Sequence, residues 1–164
     1  MSLLTSLEQS GFSVWVRESR SLLAFPGILL LHTYGMAFLV GVVFAIDLRI
    51  LGFAPALPVT AIGRFLPILW VAFWVNAITG TMLLAADAVN KMTNPDFWVK
   101  MIFIVLAVIA QRMIERRVIR APATVTTRLS SPARMLAVAS LVCWIGAITA
   151  GRLLAYVGQA VGPK

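Results

Sequence analysis

The chain contains one histidine, His32, and one cysteine, Cys143. A lone cysteine excludes an intrachain disulfide and any cysteine-based metal site. Cys143 lies in an apolar run with nothing nearby to activate a thiol, and reads as a small buried filler. A lone histidine excludes a bis-histidine haem held within one chain. It also leaves no second imidazole for a catalytic triad or an HExxH metal site. No glycine-rich phosphate loop is present. These absences argue against an enzyme acting on its own. Charge is scarce as well. Charged residues make up 12% of the 164 positions and hydrophobic residues 60%, against roughly 25% and 45–50% in a soluble domain.

The few charges are unequal in sign, 14 basic against 6 acidic, for a net charge of +8. The distribution argues against nucleic acid as the reason. Arg112, Arg116, Arg117, Arg120, Arg128 and Arg134 fall in one interval between two apolar stretches, and only Glu115 opposes them. A basic loop between spans stays on the cytoplasmic side, where anionic membrane lipids supply its counter-charge. The N-terminus has neither a basic n-region nor a continuous apolar h-region, so it does not read as a cleaved signal peptide.

What the chain does have is four apolar stretches of membrane-crossing length, about 22–46, 65–86, 97–114 and 135–157. Short connections predict an all-α integral membrane protein with an up-down-up-down bundle of four transmembrane helices. Residues 1–20 alternate apolar and polar groups and are expected to lie as a short interfacial segment on the membrane. Residues 21–158 then form the transmembrane domain and 159–164 a tail. Pro26 falls in the first turns of span one. Asn94, Pro95 and Asp96 are a cap, a first-turn proline and a dipole-complementing acid, and Ser131 with Pro132 repeats the signal before span four. Asp47 and Arg49 are expected at the water boundary of span one, and Asp87 closes span two. The arginine-rich segment 112–134 sets the predicted orientation. It and loop 47–64 are cytoplasmic, both termini are periplasmic, and Trp15, Trp98 and Tyr156 fall at the outer interface as anchors.

His32 lies about ten residues into span one, ~15 Å deep at the helical rise and near the midplane of a ~30 Å core. Asn76 reaches a similar depth from the other side. A polar group in hydrocarbon must find a partner. The bland reading is a His32–Asn76 hydrogen bond, direct or through water, and the sharper one is a ligand site. Neutral imidazole is a common haem-iron ligand, and haem b sits between helices in four-helix membrane bundles. Met36, at i+4, shares the face of His32 and so cannot sit across a haem from it. A haem at His32 would be five-coordinate or shared between protomers. Quinone is the second candidate ligand. Arg152, late in span four, either snorkels to head groups or pairs with Asp87, Asp96 or an anionic ligand. The candidate binding residues are therefore His32, Asn76, Met36, Arg152 and Tyr156, with His32 as the candidate iron ligand. Ala37, Gly41 and Ala45 form a small-residue stripe on span one. If that stripe packs inside the protomer, the His32 face meets another chain, in a homo-oligomer or with partner membrane subunits. A second small stripe, Ser140, Cys143, Ala147 and Ala150, is expected to pack within span four's contacts. Trp70 and Trp74 on span two read as lipid- or core-facing bulk.

The stretches "LLLHTYGMAFLVGVVFAIDLRILG" and "AGRLLAY" resemble a bacterial family of small four-helix integral membrane proteins without an assigned activity. The motif positions are His32, Gly35, Gly41, Asp47, Leu48, Arg49, Gly151, Arg152 and Tyr156. The chain is more distantly similar to copper-resistance D-type and di-haem cytochrome b-type membrane proteins, which also carry histidines in their spans. It departs from the di-haem pattern by lacking the other histidines, so that pattern's two haems are not implied. The resemblance implies the fold and a bacterial inner membrane. The function expected is that of a redox-associated membrane subunit binding haem or quinone. The competing classes are a structural or assembly subunit and a small-molecule transporter.

Overall fold

A computed structural model describes residues 3–120 and 130–160. It is all helical. Four long apolar helices pack as a bundle: α3 (Phe25–Leu51), α5 (Leu66–Ala85), α7 (Pro95–Ile114) and α8 (Ser131–Ala160). Two short helices, α1 (Leu3–Glu8) and α2 (Gly11–Glu18), precede them. Two more, α4 (Val59–Gly63) and α6 (Ala88–Thr93), lie in the connections. A π-helical turn, Glu115–Ile119, extends α7. The four membrane-length helices expected from the sequence are all present, and consecutive ones run antiparallel.

The helix ends follow local chemistry. The Asn94 side chain accepts from the Asp96 N–H, and Pro95 begins α7 where its missing donor costs nothing. The first span runs five residues further than expected, because Ile46 and Ile50 keep the buried face in phase through Leu51. It stops at Gly52, whose φ of 111° only glycine adopts freely. There the Gly52 N–H reaches the Arg49 carbonyl and the Phe53 N–H the Leu48 carbonyl, closing a Schellman motif. This longer helix corrects the expected position of Asp47. It is fully buried inside the bundle, not at a water boundary.

Helix α3 is the hub, packed on α5 and α8, while α7 packs along α8. Leu39, Val43, Ile46 and Ile50 of α3 meet Leu66 and Leu69 of α5 and Ala137 and Trp144 of α8 in one core. In a bilayer such contacts gain van der Waals packing more than hydrophobic transfer, since lipid tails are as apolar as the core. Small residues therefore matter where helices close up. Gly35 lets α5 approach so near that an added Cβ would sit 3.3 Å from the Asn76 backbone nitrogen. At Gly146 an added Cβ would lie 2.9 Å from the Phe103 ring.

The two small stripes part company. Ser140, Ala147 and Ala150 are buried as expected, with Cys143 half-buried against the core. Ala37, Gly41 and Ala45 face outward, and an added Cβ at Gly41 would meet nothing within 4 Å. The face bearing Leu39 and Val43 is the one inside. The premise of a His32 face turned toward another chain is thereby reversed. The reason is steric. Leu39, Val43, Ile46 and Ile50 offer one branched ridge that fills the space between α5 and α8, which alanines would leave open.

Candidate functional site

Helices α3 and α5 place the polar centre. The His32 Nδ1 lies 3.1 Å from the Asn76 main-chain oxygen and 3.0 Å from Thr79 Oγ1. The Thr79 hydroxyl donates to the Val75 carbonyl at 2.7 Å. A carbonyl can only accept, and the Thr79 proton is already committed. Nδ1 must therefore carry the hydrogen, and in neutral imidazole Nε2 keeps its lone pair. Nε2 makes no hydrogen bond to a described residue. In return, Asn76 Nδ2 donates to the His32 main-chain oxygen at 2.8 Å. The two residues do pair, but each side chain bonds the other's backbone.

Gly80 lies against the imidazole, where an added Cβ would stand 3.1 Å from Cε1. His32 and Gly80 line a cavity of about 190 Å³ together with Leu84, Phe97, Lys91 and Lys100. All four long helices contribute to it. Lys100 sits five residues into α7, half-buried across Gly151, with no described acid within ion-pair distance. Lys91, on α6 at the mouth, donates to the Leu83 carbonyl at 2.8 Å and stands 4.0 Å from an Asp87 carboxylate oxygen. Burial pushes the Lys91 ammonium below its ordinary range, and Asp87 offsets part of that shift. The small cavity shares Leu83, Lys91 and Leu154 with a larger one of about 740 Å³, which reaches Arg17 and Glu8 of the N-terminal helices. Those helices close over the bundle end. The Ser13 hydroxyl reaches the Ala85 carbonyl at 3.0 Å, and Arg17 lies 3.4 Å from the Ala86 carbonyl.

Of the residues expected at the site, His32 and Asn76 are brought together. Met36 follows one turn along α3, half-buried and outside the cavity lining. Arg152 is exposed and forms no ion pair with Asp87, Asp96 or another described acid. The Tyr156 side chain lies outside the described residues. Thr79, Gly80, Lys91 and Lys100 were not anticipated. Lys100 carried a legible signal, a cation inside an apolar span. Thr79 carried a weaker one, a hydroxyl three positions after Asn76 and so on the same helix face.

At the opposite end Glu115 is buried and fully engaged. It accepts from Trp70 Nε1 at 3.1 Å and pairs with Arg112 at 3.6 Å and with Arg120. The Arg112 guanidinium lies 3.6 Å over the Trp70 ring. Trp70 is thus a polar contact as well as bulk, while Trp74 is mostly exposed.

Comparison with protein-family models, with curated proteins and with solved structures finds no match in any of the three. Fold and spans together define an integral membrane protein, small and all-helical, with four long apolar helices.

A haem at His32 would extend beyond the small cavity into the larger one beside it. The small cavity's volume of about 190 Å³ falls below the roughly 300–1,000 Å³ that drug-sized ligands occupy. Met36, the nearest alternative ligand, is not in its wall.

Proposed function

We propose that this protein is a redox-associated membrane subunit that binds a quinone at His32. One observation carries the reading. His32 is anchored through Nδ1 to α5, which leaves Nε2 as the nitrogen available to a cavity that also holds the Lys100 ammonium. A quinone ring carries two oxygens on opposite edges and supplies two-electron chemistry when bound. His32 Nε2 and Lys100 Nζ are the groups that would hold those oxygens. Lys91 adds positive charge at the mouth and favours the more negative forms of such a ligand. The larger cavity beside it offers room for the rest of an amphiphile, and its Arg17 and Glu8 suit an interfacial entrance. The chain is read as a subunit, in contact with partner membrane subunits or a second copy, and not as an enzyme on its own.

The same reading places the protein in a bacterial inner membrane with both termini periplasmic and segment 112–134 cytoplasmic. The concentration of arginines at one end supports it. Cysteine labelling at positions 2 and 130 in a Cys143→Ala background tests this orientation. Periplasmic labelling at 130 overturns it.

The test of binding is extraction of quinone from protein purified with its native lipids. Quinone is expected to co-purify with the wild type and to be lost from His32→Ala and Lys100→Met. Protein that retains no quinone and binds no added short-chain quinone contradicts the proposal, and a Soret band would replace it with haem.

The structural alternative rests on the reciprocal His32–Asn76 bonds, which tie α3 to α5 whatever the cavity holds. It explains Nδ1 and Asn76, but it gives no reason for an unpaired Lys100 within a span.

A further inference from the structure

Near the arginine-rich end, buried polarity takes another form. Asp47 of α3, Gln111 of α7, and Ser140 and Trp144 of α8 are 0%, 1%, 0% and 5% exposed. Among the described residues, every buried side-chain nitrogen or oxygen without a hydrogen-bond partner belongs to one of these four. Ser140 adjoins Asp47, Trp144 belongs to the core that Val43, Ile46 and Ile50 enter, and Gln111 lies on the α7 face whose Ala107 and Ile114 enter that core. Ser140 faces the Asp47 carboxyl without closing a well-formed hydrogen bond. The contacts of Phe103 with Gly146 and of Lys100 with Gly151 set the α7–α8 register, and that register brings Gln111 level with Ser140. Trp144 follows Ser140 by one turn on the same face.

Among the described residues, no cation at this end is turned to Asp47; Arg116 and Arg117 are exposed. Arg49, on its own helix, bonds the Leu57 and Pro55 carbonyls. On α7, Arg112 is held by Glu115 and the Trp70 ring, and Arg120 by Glu115. Arg134 of α8 and Arg64 before α5 are exposed. An ionised carboxylate left without counter-charge or hydrogen bonds in hydrocarbon is strongly disfavoured. A bound cation or a proton on the carboxyl relieves that cost.

A metal cation is poorly served. Asp47, Gln111 and Ser140 offer four side-chain oxygens between them, fewer than the six or more that hard cations take. Helices α3 and α8 run unbroken through Asp47 and Ser140, so their carbonyls stay committed to the helix and cannot supply the rest. Among the described residues no group of three His, Cys, Asp or Glu side chains could hold a metal. A proton needs one acceptor only.

We propose that Asp47 is a proton-binding site, a carboxylic acid linked through buried water to Gln111, Ser140 and Trp144. Its O–H gives the proton to a water molecule, leaving a carboxylate and a hydronium ion, and the reverse step restores the acid. Gln111 Nε2, Ser140 Oγ and Trp144 Nε1 are the donors that hold the carboxylate while it is ionised. Orphaned buried polar groups are the places where internal water is retained. This site is independent of whatever ligand His32 takes.

Dicyclohexylcarbodiimide is an apolar reagent that adds to protonated carboxyls in membranes and gives a stable N-acylurea. Full-length protein in liposomes is treated across about pH 5 to pH 9, and the modified peptide is mapped by mass spectrometry. Labelling is expected at Asp47, falling at least tenfold as pH rises, while arginine-paired Glu115 stays unlabelled. Ser140→Ala and Gln111→Leu are expected to shift the pH at which labelling falls. The infrared carbonyl band of a protonated carboxyl should be present at the acid end and absent in Asp47→Asn. Labelling at Asp47 that does not change with pH overturns the proposal. So does labelling suppressed by sodium at constant pH, or the absence of both the label and the infrared band.

Discussion

At the N-terminal end of the bundle the polar groups between α3 and α5 are bonded to one another. His32, Asn76 and Thr79 bond main-chain oxygens, and His32 Nδ1 also meets Thr79 Oγ1. Toward the arginine-rich end, Asp47, Gln111, Ser140 and Trp144 are buried with side-chain polar atoms that lack a well-formed hydrogen bond, although the nearby Glu115 has three partners. A satisfied buried network fixes one arrangement of helices, whereas an unsatisfied one signals a missing participant. The first region therefore reads as a rigid mount for an imidazole that lines a cavity together with a lysine. The second reads as a site completed by water and a proton.

The largest effect expected is steric and belongs to the mount. Gly35→Leu would drive a side chain into the Asn76 backbone and Val75, and overpacking of this kind costs about 1–3 kcal/mol. Gly41→Leu, on the open face, should be silent. Thermal unfolding in detergent checks both, and equal tolerance of the two would break the picture of a close α3–α5 seam.

Next comes a contrast between two buried acids. Glu115→Gln keeps an acceptor for Trp70 but leaves Arg112 and Arg120 without a counter-charge, a loss of about 1.5–3 kcal/mol for hydrogen bonds to a charged group. Asp47→Asn has no charged partner to abandon and should leave stability at neutral pH unchanged or higher. Denaturant unfolding of the two variants side by side tests it. A destabilised Asp47→Asn would mean that the carboxylate has a partner after all.

A smaller effect sharpens the account of the mount itself. Because His32 and Asn76 bond each other's main chain, neither substitution deletes the other residue's acceptor or donor partner. His32→Ala and Asn76→Ala should therefore add to within about 0.5 kcal/mol. Coupling well above that would indicate a direct side-chain bond.

The smallest concerns pH at the cavity mouth. Burial lowers the Lys91 affinity for its proton in the folded protein relative to the unfolded chain. The unfolded state then binds more protons in the window from that lowered value up to an ordinary lysine value of about 10.4, so stability should rise with pH across it. Lys91→Met should flatten the rise. A fall in wild-type stability over that window would contradict the burial of this ammonium.

Much of this architecture was legible in the linear chain. Four apolar runs of bilayer length leave hydrogen-bonded helices as the economical way to satisfy their backbones, and Asn94 with Pro95 marks a helix start by local chemistry alone. The depth of His32 and Asn76 followed from counting residues, which is why their meeting was foreseeable. Their mode of meeting was not, because a sequence shows side chains and the bonds run to main-chain oxygens. Helix phase within a uniformly apolar span was also out of reach. When nearly every residue of α3 is apolar, periodicity cannot say which face is inside. Only packing against α5 and α8 chose the Leu39–Val43 ridge over the Ala37–Gly41–Ala45 stripe. The same choice buried Asp47, whose place just past the apolar run suggested water. It also gathered Lys91, Lys100 and His32, distant in sequence and on three helices, around one cavity. Composition and local patterning determined the helices and the membrane. Contacts between helices, which depend on shape across distant segments, decided which polar groups are paired and which are left to bind something else.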